Sequence, residues 1–271
     1  MEKALFIEGD VRLFGMLFLP EPEIRKAIGF VVIHPFAEEK KSSHRTLVEL
    51  SRELYQKGFP VLMFDLRGCG DSEGNFGSVR LYDWLRDIDR AIGVLKSHIQ
   101  LPKLGIIGLR LGAYLSLSYT SQHQNFSEYI WIEPVLKPLD YLRKSLRHKL
   151  MKELCTDGKI TSNRNNLLQE LQNNTGIDFD GYEIGSGLYY DLTEDYEKES
   201  IQQKLESIQK GLMVSVSMNG KETKAVQEIR TLKPELHYDT VKMELFWNKV
   251  DDIDSENLIS VICNYLTLNH A

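Results

Sequence analysis

One short stretch limits what this chain can fold into: Gly105-Ile-Ile-Gly108-Leu109-Arg110-Leu111-Gly112-Ala113-Tyr114-Leu115. Leu104, Ile106 and Ile107 supply a short buried strand, and no helix breaker interrupts Leu111 to Tyr119. A strand that passes straight into a helix must turn abruptly, and glycines at 108 and 112 leave room for neighbouring backbone at that turn. Such an elbow lifts one side chain clear of its surroundings, and where the elbow serves chemistry that side chain is a nucleophile. Here it is Arg110. A guanidinium stays protonated at physiological pH and cannot attack a carbonyl. The competing reading, an ordinary turn between two unrelated glycines, loses ground once the flanking pattern is considered.

Residues 3–9 and 11–20 predict two strands meeting at Gly9-Asp10, a hairpin signal. Ala27 to His34 is nearly continuous apolar sequence, as in a strand covered on both faces. The polar segment Phe36–Ser43 reads as a loop before a helix carrying Leu47, Leu50 and Leu54. Pro60–Asp65 is the next strand, followed by the glycine-rich Arg67-Gly-Cys-Gly-Asp-Ser-Glu-Gly74. Leu81, Trp84, Leu85, Ile88, Ile92 and Leu95 recur at helical spacing, and Glu128–Glu133 closes the series as a strand. Strands alternating with helices at short spacing predict an α/β fold, a mostly parallel sheet of about eight strands with helices on both faces.

The alternation stops at Pro134. Residues 135–210 are polar and mainly helical, with Leu139, Leu142, Leu146, Leu150 and Leu154 on one stripe, a short hairpin at 177–184 and a helix over 193–209. The βα pattern resumes with a strand at 211–217, a helix near 221–232, a strand at 241–247 and a final helix from Ser255 to Leu268. The expected organisation is one core, 1–134 and 211–271, with 135–210 inserted as a cap.

A net charge of −6 lacks the basic face that nucleic-acid binding needs. Cys69, Cys155 and Cys263 are odd in number, far apart, and match neither a zinc nor a disulfide pattern. A reducing cytoplasm is the expected compartment; no membrane span is visible, and no metal or cofactor is implied. Gly68, Gly70 and Gly74 miss the spacing of a dinucleotide-binding loop.

With strand order and motifs together, the chain resembles the α/β-hydrolase superfamily. His34-Pro-Phe-Ala-Glu-Glu39, Phe64-Asp-Leu-Arg-Gly-Cys-Gly-Asp-Ser72 and Gly108-Leu-Arg-Leu-Gly112 are similar to the second type of exosortase A system-associated hydrolase, whose elbow likewise carries Arg. The likeness is specific from about 31 to 115 and thin beyond Gly181-Tyr-Glu183; at Glu133 that family more often has Gln. It implies an α/β-hydrolase fold, a bacterial cytoplasmic setting, and genes for exopolysaccharide and protein sorting nearby. It supplies no substrate.

Gly70-Asp-Ser72-Glu-Gly74 fits the serine elbow pattern by letter, but a loop rather than a helix follows it, so Ser72 is a weak nucleophile candidate. A triad needs an acid after the seventh strand and a histidine after the eighth. Glu222 is the best acid on offer; the segment after Trp247 has no histidine, and His270 lies beyond the final helix, where fraying is expected. His34, closing the third strand, reads either as a hydrogen-bonding group on the pocket floor or as a histidine that ties its loop down. Cys69 reads chiefly as a small structural residue. Lys137, Arg143, Lys144, Arg147, His148, Lys149 and Lys152 make the first helix of the insertion basic, a solvated face or a surface for an anionic ligand or acidic partner.

The expected pocket is His34, Phe36, Arg110, Leu111 and Glu133. The elbow strand should lie between the strands ending at His34 and Glu133, and a secluded guanidinium needs a counter-charge. An Arg110–Glu133 ion pair is therefore expected, the alternative being that Arg110 points up into the cap as a ligand anchor. The leading functional reading is a catalytically degenerate hydrolase that binds a small molecule, anionic in one version. The alternatives are an esterase or thioesterase using His34, Cys69 or Ser72, and a structural subunit that binds a protein through its cap.

Overall fold

The computed structural model describes residues 1–99, 102–123, 126–157, 166, 167, 169, 171, 173, 176–179, 181–249 and 253–270. In chain order the elements are β1 (Glu2–Ile7), β2 (Leu13–Phe18), β3 (Ile28–Ile33), α1 (Glu38–Gln56), β4 (Val61–Phe64), α2 (Leu81–His98), β5 (Lys103–Leu109), α3 (Leu111–His123) and β6 (Glu128–Ile132). There follow α4 (Pro138–Asp157), the hairpin β7 (Ile177–Phe179) and β8 (Tyr182–Ile184), then α5 (Ser186–Lys198) and α6 (Ile201–Leu205). β9 (Gly211–Ser217), α7 (Lys224–Leu232), β10 (His237–Lys242) and α8 (Glu256–Asn269) complete the chain.

Eight strands form one sheet in the order β1-β2-β4-β3-β5-β6-β9-β10. β2 runs antiparallel to β1 and β4, and the remaining pairs are parallel. This is the α/β-hydrolase arrangement. The central strands are apolar throughout because both faces are covered. One face packs on α2, α3 and α7 through residues such as Ile106, Leu115 and Ile229; the other packs on α1 and α8 through Ile107, Leu50 and Ile262.

Four local expectations are corrected. α1 begins at Glu38, so most of the polar segment read as a loop is helix; Glu38 and Glu39 in its first turn suit the positive end of the helix dipole. The helix expected over 193–209 starts earlier and is split, because Ser200 and Gln203 form a reciprocal capping box that opens a new helix. The last strand is His237–Lys242 rather than 241–247: it pairs with β9 from Leu212 to Ser217, and beyond Ser217 no neighbouring strand continues. Phe246 and Trp247 owe their apolar character to core packing in the following loop. His270 is docked, not frayed. Its Nε2 lies 2.7 Å from Glu128 Oε2 and its ring meets Phe59 edge-on, at the start of β6 and therefore at the sheet end opposite the elbow.

Candidate functional site

The elbow is built as the glycine spacing predicts. Arg110 has φ of 55°, the left-handed region that non-glycine residues avoid. Its N–H donates to Ile132 O at 3.0 Å, and its carbonyl accepts from Ala113 N–H at 3.1 Å and Val135 N–H at 3.2 Å. A Cβ on Gly108 would stand 2.6 Å from Ala113 Cα, and one on Gly112 would stand 2.3 Å from Ile33 O. Only glycine fits either position. Ala37 (φ 50°) and Glu133 (φ 43°) likewise have positive φ, just past β3 and β6.

The expected Arg110–Glu133 pair is not formed. Nε and Nη2 of Arg110 both donate to Glu39 Oε1, at 3.4 and 3.3 Å. Glu39 is within reach because α1 starts nearly two turns earlier than the sequence suggested. Glu133 is turned toward β9 instead: its Oε2 accepts from Val216 N–H at 3.0 Å and Thr223 Oγ1–H at 3.2 Å. Burial pushes the Glu133 carboxyl up, against those donors and Arg110. The guanidinium of Arg110 lies between two rings, 5.0 Å from the Trp247 centroid and 5.4 Å from that of Tyr141. Burial opposes the charge, but Glu39, Tyr141 and Glu133 together outweigh it, and Arg110 stands above its ordinary range. Tyr141 also hydrogen-bonds Glu39, and burial pushes its phenol far up.

The other nucleophile and base candidates are committed elsewhere. Ser72 Oγ donates to Asp65 O at 2.6 Å and accepts from Phe14 N–H at 2.9 Å, pinning the glycine-rich loop to β2. Cys69 is buried, and burial pushes its thiol up to about 12. His34 Nδ1 lies 2.7 Å from Pro35 O while Nε2 accepts from Leu66 N–H at 3.1 Å. Those partners fix a neutral imidazole with its proton on Nδ1, and burial holds its pKa down, at about 4. Of the two readings of His34, the loop tie is the one the geometry fits. Glu222 is engaged by Arg230 Nε and Nη2, at 3.0 and 2.6 Å.

Phe36 and Leu111 lie on the other side of the elbow from Glu133. There Phe36 meets Trp84 and Tyr141 edge to face, and Phe76 packs at a tilt on Phe36 and Trp84. The space between His34, Phe36, Cys69 and Leu111 is about 10 Å³, room for about one water. The open volume beside Arg110 lies over β6 and β9, and a separate cleft of about 330 Å³ opens by His34, Lys40 and Asp65. A cleft of about 440 Å³ is floored by Arg110, Glu133, Tyr141 and Trp247 and rimmed by Lys144, Met218 and Asn248. Among the described residues no histidine lines it. Its serine and threonine hydroxyls are all donated: Ser145 to Tyr141 O, Ser217 to Lys221 O, and Thr223 to Glu133. A groove of about 540 Å³ between α1 and α8 is larger but shares no residue with the elbow site. No group of metal-ligating side chains occurs among the described residues.

Sequence reasoning thus found Arg110 and Glu133 but missed Glu39, Tyr141 and Trp247. Two adjacent glutamates directly after His34-Pro-Phe-Ala were the available signal for the first. Tyr141 and Trp247 carried none, since an aromatic residue in an apolar stretch reads as core.

The sequence matches the family described as serine aminopeptidase, S33, over residues 29–177. No curated protein matches the chain in sequence. Among solved structures, Est1E from Butyrivibrio proteoclasticus with ferulic acid bound superposes with a TM-score of 0.71 at 16% identity, covering 98% of this chain and 99% of that one. An esterase from Pyrococcus furiosus gives 0.63 at 15% identity, over 100% of this chain and 92% of that one. A serine hydrolase without a lid from Xanthomonas campestris gives 0.60 at 16% identity, over 100% and 95%.

Proposed function

The chain belongs to the serine aminopeptidase S33 family of α/β-hydrolases, and on that premise we propose that it is a member without hydrolytic chemistry that uses its cleft to bind a small molecule. The observation that carries this reading is the elbow tip. Arg110 stands in the strained position built for a nucleophile, and Glu39, Tyr141 and Trp247 hold it there. Acyl transfer needs an attacking atom and a base to take its proton. The loop after the last strand, where such folds place the histidine, supplies Trp247 instead. With the space beside Phe36 and Leu111 filled, the cleft on the β6–β9 side is the open volume that Arg110 itself lines among the described residues. We read 135–210 as a cap over that site, since Tyr141 of α4 closes one face of Arg110.

Motif likeness at 34–39, 64–72 and 108–112 supports a place for this binding role in a bacterial exopolysaccharide- or exosortase-linked process in the cytoplasm. Exopolysaccharide output unchanged by deletion of the gene would remove that link. The central claim is tested with a serine-reactive fluorophosphonate and a panel of p-nitrophenyl esters: neither labelling nor turnover is expected. Turnover that disappears with Ser72→Ala would overturn it, and Arg110→Ser alone should not create an efficient enzyme.

A further inference from the structure

We infer that the cleft takes a small hydroxylated organic acid, its carboxylate held by Arg110 and Lys144 and its hydroxyl donating to Glu133; this rests on the cleft being a binding site, as proposed above. The inference comes from counting which polar groups in the cleft are already used. Arg110 spends Nε and Nη2 on Glu39, and among the described residues no hydrogen bond reaches Nη1. Lys144, on α4 one turn beyond Tyr141, lines the same cleft with no carboxylate partner among the described residues. Asn219 and Asn248 also present side-chain amides at the rim, so the unspent charged donors of the cleft are Arg110 Nη1 and the Lys144 ammonium. On the acceptor side Glu39 is engaged by Arg110 and Tyr141, and Glu133 Oε2 by Val216 and Thr223. The solvent-reaching carboxylate oxygen left over is Glu133 Oε1, which among the described residues takes no hydrogen bond.

An anionic oxygen pair suits a guanidinium edge and an ammonium together, since charge-assisted bonds of this kind are the strong ones. A carboxylate oxygen with a free lone pair needs a donor. A hydroxyl meets that need without bringing a second cation beside Arg110. Met218, Leu245 and Trp247 leave the rest of the cleft mainly apolar, so the acid requires a hydrocarbon or aromatic body. The volume, about 440 Å³, falls at the small end of ligand sites and limits that body to a few-carbon or single-ring group.

Three probes separate the elements of the claim: 3-phenyllactate, 3-phenylpropionate, which lacks the hydroxyl, and methyl 3-phenyllactate, which lacks the charge. Binding to the full chain is read by intrinsic fluorescence, as Trp247 lines the cleft, and by the shift in melting temperature. The expected order places 3-phenyllactate first, with each of the others about tenfold weaker. Lys144→Gln should weaken both acids several-fold and leave the methyl ester unchanged. An ester that binds as tightly as the acid, or acids indifferent to Lys144→Gln, would overturn the carboxylate assignment while leaving the cleft a binding site. Equal binding of 3-phenylpropionate and 3-phenyllactate would overturn the role given to Glu133. Saturable binding by none of the three would overturn this inference, whereas the labelling and turnover assays bear separately on the absence of hydrolysis.

Discussion

Replacing Arg110 isolates what the occupied elbow contributes to stability. Its ion pair with Glu39 is neither fully buried nor free, with side chains 19% and 16% exposed and hydrogen bonds at the long end of the range. Breaking a buried pair costs about 3–5 kcal/mol, and an exposed pair contributes about 0–1, so an intermediate ~1–2 kcal/mol is expected here. Two aromatic faces add about 0.5–1 kcal/mol each. Arg110→Ala should therefore lower the unfolding free energy by about 3 kcal/mol in urea titrations extrapolated to water. Arg110→Gly loses the same contacts but is at ease at φ of 55°, so it should be about 1 kcal/mol more stable than Arg110→Ala. A double-mutant cycle with Glu39→Gln should return a coupling of about 1 kcal/mol. A glycine variant no better than alanine would refute the strain argument. A coupling near zero would refute the ion pair.

Other substitutions test the surrounding structure. Gly112→Ala drives a Cβ against the backbone oxygen of Ile33, with no side chain free to yield, and should cost several kcal/mol or prevent soluble expression. His34 is neutral in the fold: burial holds its pKa at about 4, below the ordinary ~6.5. Its contribution is therefore complete above about pH 6.5 and lost as pH falls toward 4, roughly 3 kcal/mol in total. Urea midpoints against pH should show that acid limb, and His34→Gln should flatten it. Lys204, which donates to Asp195 at 2.9 Å and to Ser118 at 3.3 Å, ties α6 to α3. Lys204→Ala should cost about 2–3 kcal/mol and raise amide exchange in α6, and a change confined to global stability would show that α6 does not open separately.

How much was legible follows from how local each signal is. The apolar runs of β3, β4 and β5 and the helical spacing of α2 are periodicities that need no tertiary partner, so sheet and helices could be read directly. The elbow was legible because steric exclusion at Gly108 and Gly112 acts within a few residues. The counter-charge of Arg110 was not, because it depends on where α1 begins, and the positive-φ turn at Ala37 that sets this has no glycine to mark it. Apolar Met243–Trp247 read as strand because burial in a loop leaves the same composition as burial in a pleat. His270 drew the wrong expectation for a related reason: Glu128, its partner, lies 142 positions away.

Ala37, Arg110 and Glu133 form a row across three adjacent strands, each twisted into a backbone shape that side chains resist. Each such residue costs on the order of 1–3 kcal/mol, and in a working hydrolase the usual return is a well-presented reacting group. In this chain the hydrogen bonds from β6 and β9 enforce the shape whatever residue occupies it. The elbow behaves as a mould held by its neighbours rather than by its contents. New chemistry could therefore be cast in the position without rebuilding it: a cysteine at 110 would inherit the backbone presentation, and among the described residues of the cleft no histidine stands beside it.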